Sequence, residues 1–275
     1  MELSFPSTMV GDLRKFSGRE IAQIAEQVDG VGAVDGGFAA ILGGCWVATL
    51  DHGPYPAHVF ESAPEESDKK PRGRGAYRTG AAPTTKEGAP IWSRVLKGDL
   101  VAGLIFLAQT SITDGDDYPF DVPCQSCGKP VPWEIKLSDL EVKVLPQKSI
   151  EKIRAGEPFE AVCAGKKVMF DLQTAAAEEP VARLMKQTGR KVGTIVDVLA
   201  AQVRSVEGAG ADLKARWAWL AELSLGELQD LQADMQEVDC GIETGFDIEC
   251  KRCGYEFPTH VPLDRRLFAP RRRRR

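Results

Sequence analysis

The period of apolar and polar residues changes several times along the chain, and each change marks a predicted element. Residues 3–15 place apolar residues around turn residues and predict an extended hairpin. The tetrapeptide SGRE is a capping box, which predicts that a helix begins at Ser17, and a second apolar segment covers residues 38–50. Residues 51–90 are polar and rich in Pro, Gly, Lys and Glu. This composition predicts a long mobile insertion.

A second apolar run extends from Val95 to Ile112 and is too short to cross a membrane. The run is compatible with a buried helix, a buried strand or both in succession, and we predict a helix up to about Ala108. Further along, the sequence EPFEAVCAGKKVMFDL alternates apolar and polar residues on both sides of residues 164–166. This alternation predicts a hairpin.

The region after this hairpin carries three apolar stripes at helical spacing. The third stripe begins with the capping box SLGE at Ser224. Because such short helices are not stable separately, we predict that they pack as a bundle. Trp217 belongs to a stripe and is predicted to be core, whereas Trp219 lies off it and is predicted to mark a contact surface. The stripes are Ile195, Val198, Leu199 and Val203; Leu213, Trp217 and Leu220; and Leu228, Leu231, Met235 and Val238.

One short element occurs twice. FDVPCQSCGKPVPWEIKL starts at Phe120, and FDIECKRCGYEFPTHVPL starts 126 residues later at Phe246. Each copy contains a CxxCG motif followed by an alternating segment, so each copy predicts one β-hairpin.

The paired motifs predict a metal site. A CxxC closed by glycine forms a knuckle that aims both sulfurs at one point, and the glycine takes a positive φ. Cys124, Cys127, Cys250 and Cys253 would fill a tetrahedral Zn²⁺ shell and leave no open position, which is typical of a structural site. An iron–sulfur cluster is the alternative metal centre, and a redox dithiol is the metal-free alternative, although a redox pair needs no second copy.

The knuckles are separated by 122 residues, compared with roughly 15 to 20 in ordinary zinc ribbons. Folding must therefore bring them together. The cost of closing a loop grows slowly with its length, and zinc binding worth on the order of 10 kcal/mol can exceed it. We interpret the doubled element as a clasp that ties the entry and exit of the inserted segment. Replacing Cys250 is then expected to loosen the inserted helices.

The predicted fold class is α+β: a discontinuous four-cysteine zinc ribbon of two β-hairpins that clasps an inserted β-hairpin and helical bundle, with an N-terminal hairpin and helix region. The predicted regions are 1–50, N-terminal β-hairpin and helices; 51–90, polar mobile insertion; 91–114, apolar helix or strand packed on the N-terminal region; 115–137, first half of the zinc ribbon; 138–245, inserted hairpin and helical domain; 246–268, second half of the ribbon; and 269–275, basic tail.

Charge and composition argue against several classes of function and location. The formal net charge is −5 and the isoelectric point is near 5.4, so no global positive field draws the protein to nucleic acid or to acidic membranes. The N-terminus lacks the pattern of a secretory signal, and we expect a cytosolic protein. Seven cysteines without such a signal favour thiols or metal over disulfides.

The remaining candidate residues receive structural interpretations. Cys45, Cys163 and Cys240 are predicted to be small buried hydrophobes. His52, His58 and His260 are predicted to lie on the surface. No GxSxG, HExxH, P-loop or GxGxxG motif occurs in a suitable context, so we expect a protein that is not an enzyme.

The order of several segments resembles the baseplate protein family of T-even-type contractile phage tails, whose members are hub components or factors that assemble the hub. The resemblance covers most of the chain apart from residues 51–90 and the arginine tail. The segments are FPSTMVGDLRKFSGREI, VLKGDLVAGLIFL, YPFDVPCQSCG, LSDLEVKVLP and CKRCGYEFPTHVPLDRRLF.

The resemblance implies a non-enzymatic role in building or composing a baseplate, with other tail proteins as partners in an oligomer or hetero-complex. The location that it implies is the host cytoplasm during assembly and the virion tail afterwards. It also implies that the family's metal-binding positions correspond to Cys124, Cys127, Cys250 and Cys253. No membrane or nucleic-acid partner is expected. The alternative is a zinc-ribbon nucleic-acid-binding module that uses Lys251, Arg252, Arg265, Arg266 and Arg271–Arg275, and a redox-dithiol enzyme ranks third.

Overall fold

The computed structural model describes residues 1–17, 33–61, 88–112, 115–174, 176–177, 179–189, 194–210, 212–262 and 265–268. The helix predicted from Ser17 onwards, the central part of the 51–90 insertion and the arginine tail lie outside these residues. Within the described part, helices and several small antiparallel sheets are mixed. This agrees with the α+β prediction.

The N-terminal region is a three-stranded antiparallel sheet of β1 (Glu2–Ser4), β2 (Val10–Leu13) and β3 (Trp46–Asp51), in that order. The β1–β2 pair confirms the predicted hairpin. Helix α1 (Ala33–Cys45) runs directly into β3, so the apolar segment predicted at 38–50 is the end of a helix followed by a strand. The Trp46 ring occupies the space where a Cβ at Gly11 would stand, which requires glycine there.

The first described residues of the predicted 51–90 insertion pack on the core. Tyr55, Val59 and Phe60 are buried, and Phe60 forms an antiparallel bridge with Pro90. The average composition of 51–90 is polar, but these few large apolar side chains are enough to hold the start of the segment on the core.

The apolar run is helix α2 (Lys97–Ser111), and the helix prediction is confirmed over the strand alternative. Within the part of the chain that the structure describes, neither α2 nor another helix has the length and apolar character needed to cross a membrane. The first turn of α2 packs closely on a later segment, because a Cβ at Gly98 would lie 2.3 Å from the carbonyl oxygen of Cys240.

A buried carboxylate connects three separate segments at the start of α2. Asp99 is fully buried and accepts hydrogen bonds from the backbone and hydroxyl of Ser7 and from the Tyr55 hydroxyl at 2.7 Å. The Tyr55 oxygen in turn accepts from the backbone N–H of Leu96 at 3.0 Å. Burial raises the pKa of Asp99 to about 6, against the lowering effect of the hydrogen bonds that it accepts.

The repeated elements and the segment between them follow α2 in the chain. The strands and helices are β4 (Asp117–Pro123), β5 (Pro130–Lys136), β6 (Val142–Lys143), α3 (Gln147–Ala155), β7 (Phe159–Cys163), β8 (Lys166–Phe170), α4 (Glu179–Thr188), α5 (Ile195–Gln202), β9 (Val203–Val206), α6 (Leu213–Glu222), α7 (Leu225–Glu237), β10 (Gly241–Ile242), β11 (Gly245–Glu249) and β12 (Glu256–His260), followed by a 3-10 turn at Arg265–Phe268.

The inserted segment confirms the hairpin at residues 164–166 as β7–β8 and adds β9 as a third strand. The prediction that Val203 continues a helical stripe is wrong. Helix α5 ends at Gln202, and Val203 adopts extended geometry because it starts a strand that pairs with β8. The capping box of Ser224 and Glu227 is confirmed at the start of α7.

Two features join the inserted segment to the rest of the protein without a metal. Strands β6 and β10 pair as Val142 with Ile242 and Lys143 with Gly241, so the entry and exit of the segment form a two-stranded ribbon. In addition, buried side chains of the N-terminal region, α2 and the inserted segment belong to one hydrophobic cluster. The inserted segment therefore shares its core with the N-terminal region and α2.

The buried carboxylate leads to a prediction about pH dependence. The folded protein holds the Asp99 proton more tightly than the unfolded chain does, because the pKa is raised from 3.8 to about 6. Its contribution to stability is therefore fully present below pH 4 and lost as the pH rises through 6. We expect the free energy of unfolding of the natural chain, relative to that of Asp99→Asn, to fall by up to about 3 kcal/mol across this window.

Urea unfolding at a series of pH values from 4 to 7 measures this difference. Asp230→Asn is the control, because it removes an exposed carboxylate. A difference between the natural chain and Asp99→Asn that stays constant with pH would contradict the prediction.

Candidate metal centre

The two copies of the repeated element fold into hairpins with the same register. In the first hairpin Phe120 pairs with Trp133 and Val122 with Val131. In the second, the residues 126 positions later pair in the same way, with Phe246 opposite Thr259 and Ile248 opposite Phe257. The sequence repeat is therefore also a structural repeat.

Both knuckles close with the same backbone hydrogen bonds. Cys124 N–H donates to the Lys129 carbonyl at 2.9 Å, and Gly128 N–H donates to the Cys124 carbonyl at 2.9 Å. The corresponding bonds in the second knuckle run from Cys250 to Tyr255 at 2.9 Å and from Gly254 to Cys250 at 2.8 Å.

The glycine that closes each knuckle adopts the left-handed conformation. The φ angles of Gly128 and Gly254 are +66° and +68°. Residues with a Cβ are strained in this region of φ, which explains why glycine follows each CxxC.

The four knuckle sulfurs lie close together. The Sγ atoms are 3.7 Å apart between Cys124 and Cys253 and 3.9 Å apart between Cys127 and Cys250, and all four lie within 4.8 Å of one another. A tetrahedron of sulfurs at the Zn–S distance has edges of about 3.8 Å, whereas a disulfide bond measures about 2.05 Å. The arrangement therefore fits four ligands around one metal ion.

The contacts between the hairpins follow an approximate internal two-fold axis. The first cysteine of each knuckle faces the second cysteine of the other knuckle. Exchanging the two hairpins therefore converts the Cys124–Cys253 contact into the Cys127–Cys250 contact. Phe120 and its own copy Phe246 meet edge to face, with ring centroids 5.9 Å apart. A residue that touches its copy in this way is characteristic of a two-fold relation.

Burial divides the four cysteines into an inner and an outer pair. Cys124 and Cys250 are buried, whereas Cys127 is half-buried and Cys253 is exposed. The inner pair belongs to a small apolar cluster separate from the main core, formed with Val131, Ile248 and Phe257. This cluster shields one side of the sulfurs from water.

The thiols differ in proton affinity. The backbone amide of Cys127 is the largest influence on Cys124 and lowers its pKa to about 7, against the opposing effect of burial. The amide of Tyr255 acts in the same direction on Cys253, but partial desolvation of its thiol and the neighbouring thiols outweigh it and raise the pKa of Cys253 to about 11. A bound metal ion would hold all four as thiolates.

The other predicted residues lie apart from this centre. Cys45, Cys163 and Cys240 are buried as expected, and burial raises the pKa of both Cys163 and Cys240. The three histidines are exposed, and His52 lies against the ring of Phe60 with a centroid distance of 4.1 Å.

The two tryptophans of α6 are both half-buried. Trp217 donates from Nε1 to Asp197 at 2.9 Å, and its ring packs on the core. The ammonium of Lys166 lies 6.0 Å from the ring centroid of Trp219. The role of Trp219 as a contact surface stays a prediction.

The cations of the nucleic-acid alternative are only partly described. Lys251 and Arg252 are exposed at the tip of the second hairpin. The side chains of Arg265 and Arg266, and all of Arg271–Arg275, lie outside the described residues.

Sequence reasoning missed the buried network of Ser7, Tyr55 and Asp99. The available signal was Asp99 itself, an acidic residue at the start of an apolar helix, where negative charge is favoured. Its partners were not predictable, because Ser7 and Tyr55 lie 92 and 44 residues away along the chain.

A family model described as "T4 bacteriophage base plate protein" matches residues 101–264, which is more than half of the chain. The match includes both hairpins, all four knuckle cysteines and the inserted segment. No curated protein and no solved structure matches the chain.

The structure makes a prediction for the loss of one knuckle sulfur. In Cys250→Ser we expect amide exchange at Val122 and Ile248 to accelerate at least about tenfold, because the ligand set is incomplete and the hairpins separate. We expect smaller changes at Leu199 in α5 and Leu231 in α7, since the β6–β10 ribbon and the shared core still hold those helices.

Hydrogen exchange followed by mass spectrometry distinguishes the outcomes. Cys163→Ser is the matched control, because Cys163 lies outside the cluster and donates to the Glu227 carbonyl, which a hydroxyl can also do. An equal acceleration in hairpins and helices would support the stronger clasp hypothesis. Unchanged hairpin exchange would contradict both the prediction made here and the clasp hypothesis.

Proposed function

Because this chain belongs to the T4 bacteriophage base plate protein family, we propose that it is a non-enzymatic structural or assembly component of the hub region in a contractile tail baseplate. Membership gives the chain a structural role in a phage baseplate. The observation that carries the proposal is the match over residues 101–264, which spans the repeated hairpins and everything between them.

We further propose that the metal is a structural zinc ion. The sulfur separations of 3.7 and 3.9 Å suit a single tetrahedral ion. An iron–sulfur cluster places its thiolates on different iron atoms and so spreads them further apart. With all four positions filled by protein, the ion has no site for a substrate, which supports a role in holding the fold.

The expectation that the protein is not an enzyme is part of this proposal. Asp99 is a buried carboxylate whose pKa is raised to about 6, and such groups are candidates for catalysis. Here all its hydrogen bonds are made to Ser7 and Tyr55, and the cluster is sealed from solvent. Its geometry therefore supports a role in tying segments together.

The proposed partners are other baseplate proteins in an oligomer or hetero-complex, and the proposed location is the virion tail after assembly in the host cytoplasm. Val142 and Val144 support a surface for protein contact. These residues are 52% and 58% exposed, and among the described residues β6 pairs with β10 alone. An exposed strand edge with apolar side chains is suited to contact with another chain.

A nucleic-acid-binding module is the second candidate, and one observation favours it. The hairpin tips expose Lys129, Lys251 and Arg252 together with the ring of Tyr255, which is 45% exposed. Cations beside an aromatic ring can bind single strands. Binding to single-stranded DNA that weakens steeply with salt would favour this candidate over the baseplate role.

The zinc proposal predicts a metal content. The purified protein is expected to carry about one zinc equivalent, because four thiolates complete one shell. Cys124→Ser is expected to lose most of it, and Cys163→Ser to retain it. Elemental analysis by mass spectrometry measures both. Iron in place of zinc, or equal zinc in the two variants, would contradict the proposal.

The baseplate proposal predicts where the chain is found. Quantitative mass spectrometry of purified tails and of the crude lysate is expected to detect it at a fixed ratio to the tail proteins if it is a structural subunit. Abundance in the lysate with absence from tails would identify an assembly factor. A chain that neither enters particles nor changes their assembly when deleted has no baseplate role.

A further inference from the structure

A groove of about 680 Å³ lies at the base of the two hairpins, at the end opposite the cysteines. Its apolar lining comes from both hairpins and from the segment that follows the first. Ile135 belongs to the first hairpin, Phe246 and Val261 to the second hairpin and its exit, and Leu140 to the entry of the inserted segment. Val261 is buried, and the other three are half-buried.

Negative charge surrounds this apolar floor. Among the described residues, none of the lining carboxylates forms an ion pair within 4 Å, and one of them, Glu243, accepts a hydrogen bond from the backbone of Gly245. Unpaired like charges around one groove repel each other, so a cationic occupant relieves the repulsion. The lining contains five carboxylates, from Asp117, Glu134, Asp139, Glu141 and Glu243, and one ammonium, from Lys136.

We propose that this groove binds the Arg271–Arg275 segment of the same chain. Five guanidinium groups complement a lining with a formal charge of −4, which is the sum of five carboxylates and one ammonium. Arginine also suits the floor, because its stem covers apolar surface and its planar head stacks on aromatic rings such as Phe246.

The short distance along the chain favours binding of the segment to the groove of its own chain over binding to a second copy. Arg271 follows the groove residue Val261 by ten positions, and the chain between them is anchored in the core at Leu267 and Phe268. This short connection keeps the arginines near the groove at an effective concentration on the order of millimolar, which a second copy does not reach at ordinary protein concentrations.

Binding there would join elements on both sides of the groove. Glu134 belongs to the first hairpin, whereas Glu141 and Glu243 flank the β6–β10 ribbon. The arginine segment would hold these elements together at the base, while the cysteines hold the hairpins together near the tips.

Zero-length carbodiimide cross-linking tests the proposal. In a full-length chain with Arg271 to Arg275 all changed to lysine, the charge is kept and amines become available for reaction with carboxylates. Light and nitrogen-15-labelled copies are mixed before the reaction. We expect the lysine segment to link to the groove carboxylates, with both linked peptides light or both heavy, because the contact forms within one chain.

A matched pair of variants tests whether the groove attracts the segment. Glu134→Gln, Asp139→Asn and Glu141→Gln together remove three charges from the groove. In this variant, links to the remaining Asp117 and Glu243 are expected to fall at least about fivefold. Glu157→Gln, Glu222→Gln and Asp230→Asn remove three exposed charges elsewhere and are expected to leave those links unchanged.

Three results would overturn the proposal. The first is linkage spread over carboxylates outside the groove. The second is mixed light and heavy peptide pairs, which would assign the contact to a second copy. The third is an equal loss of groove links in the two triple variants.

Discussion

The meeting of the two hairpins is the constraint on which the rest of the structure depends. Cys127 and Cys250 are separated by 122 residues in sequence, yet their sulfurs lie 3.9 Å from each other. Everything between them must begin and end at nearly the same place. The β6–β10 ribbon satisfies that requirement locally, and the contact of Phe120 with Phe246 satisfies it along the hairpins.

The cysteine centre and the main core have different roles in holding this arrangement. The inner cysteines, Cys124 and Cys250, belong to a separate small apolar cluster, which is too small to be stable without further ties. The main core contains side chains from the N-terminal sheet, α2 and the inserted segment. The four sulfurs that could hold a metal ion thus lie at the smaller of the two clusters, apart from the main core.

The two hairpins could be predicted because each copy of the repeat carries a CxxCG turn followed by an alternating segment. The positive φ of the turn glycines also follows from local chemistry, whereas the strand register, the same in both hairpins, comes from the structure. The start of the 51–90 region, strand β9 and the Asp99 network could not be predicted in this way. Tyr55, Val203 and Asp99 owe their conformations to partners far along the chain, and no local pattern encodes those partners.

The two-fold relation of the knuckles has a consequence for how many chains share one centre. Each knuckle presents the same pair of cysteine ligands. A knuckle from a second copy of the protein would therefore complete the four-sulfur centre as well as the second knuckle of the same chain does, as in domain swapping. The β6–β10 ribbon brings the entry and exit of one inserted segment side by side, so both knuckles of one chain start from the same place. The ribbon therefore favours closure of the centre within one chain, because the second knuckle of the same chain is already nearby.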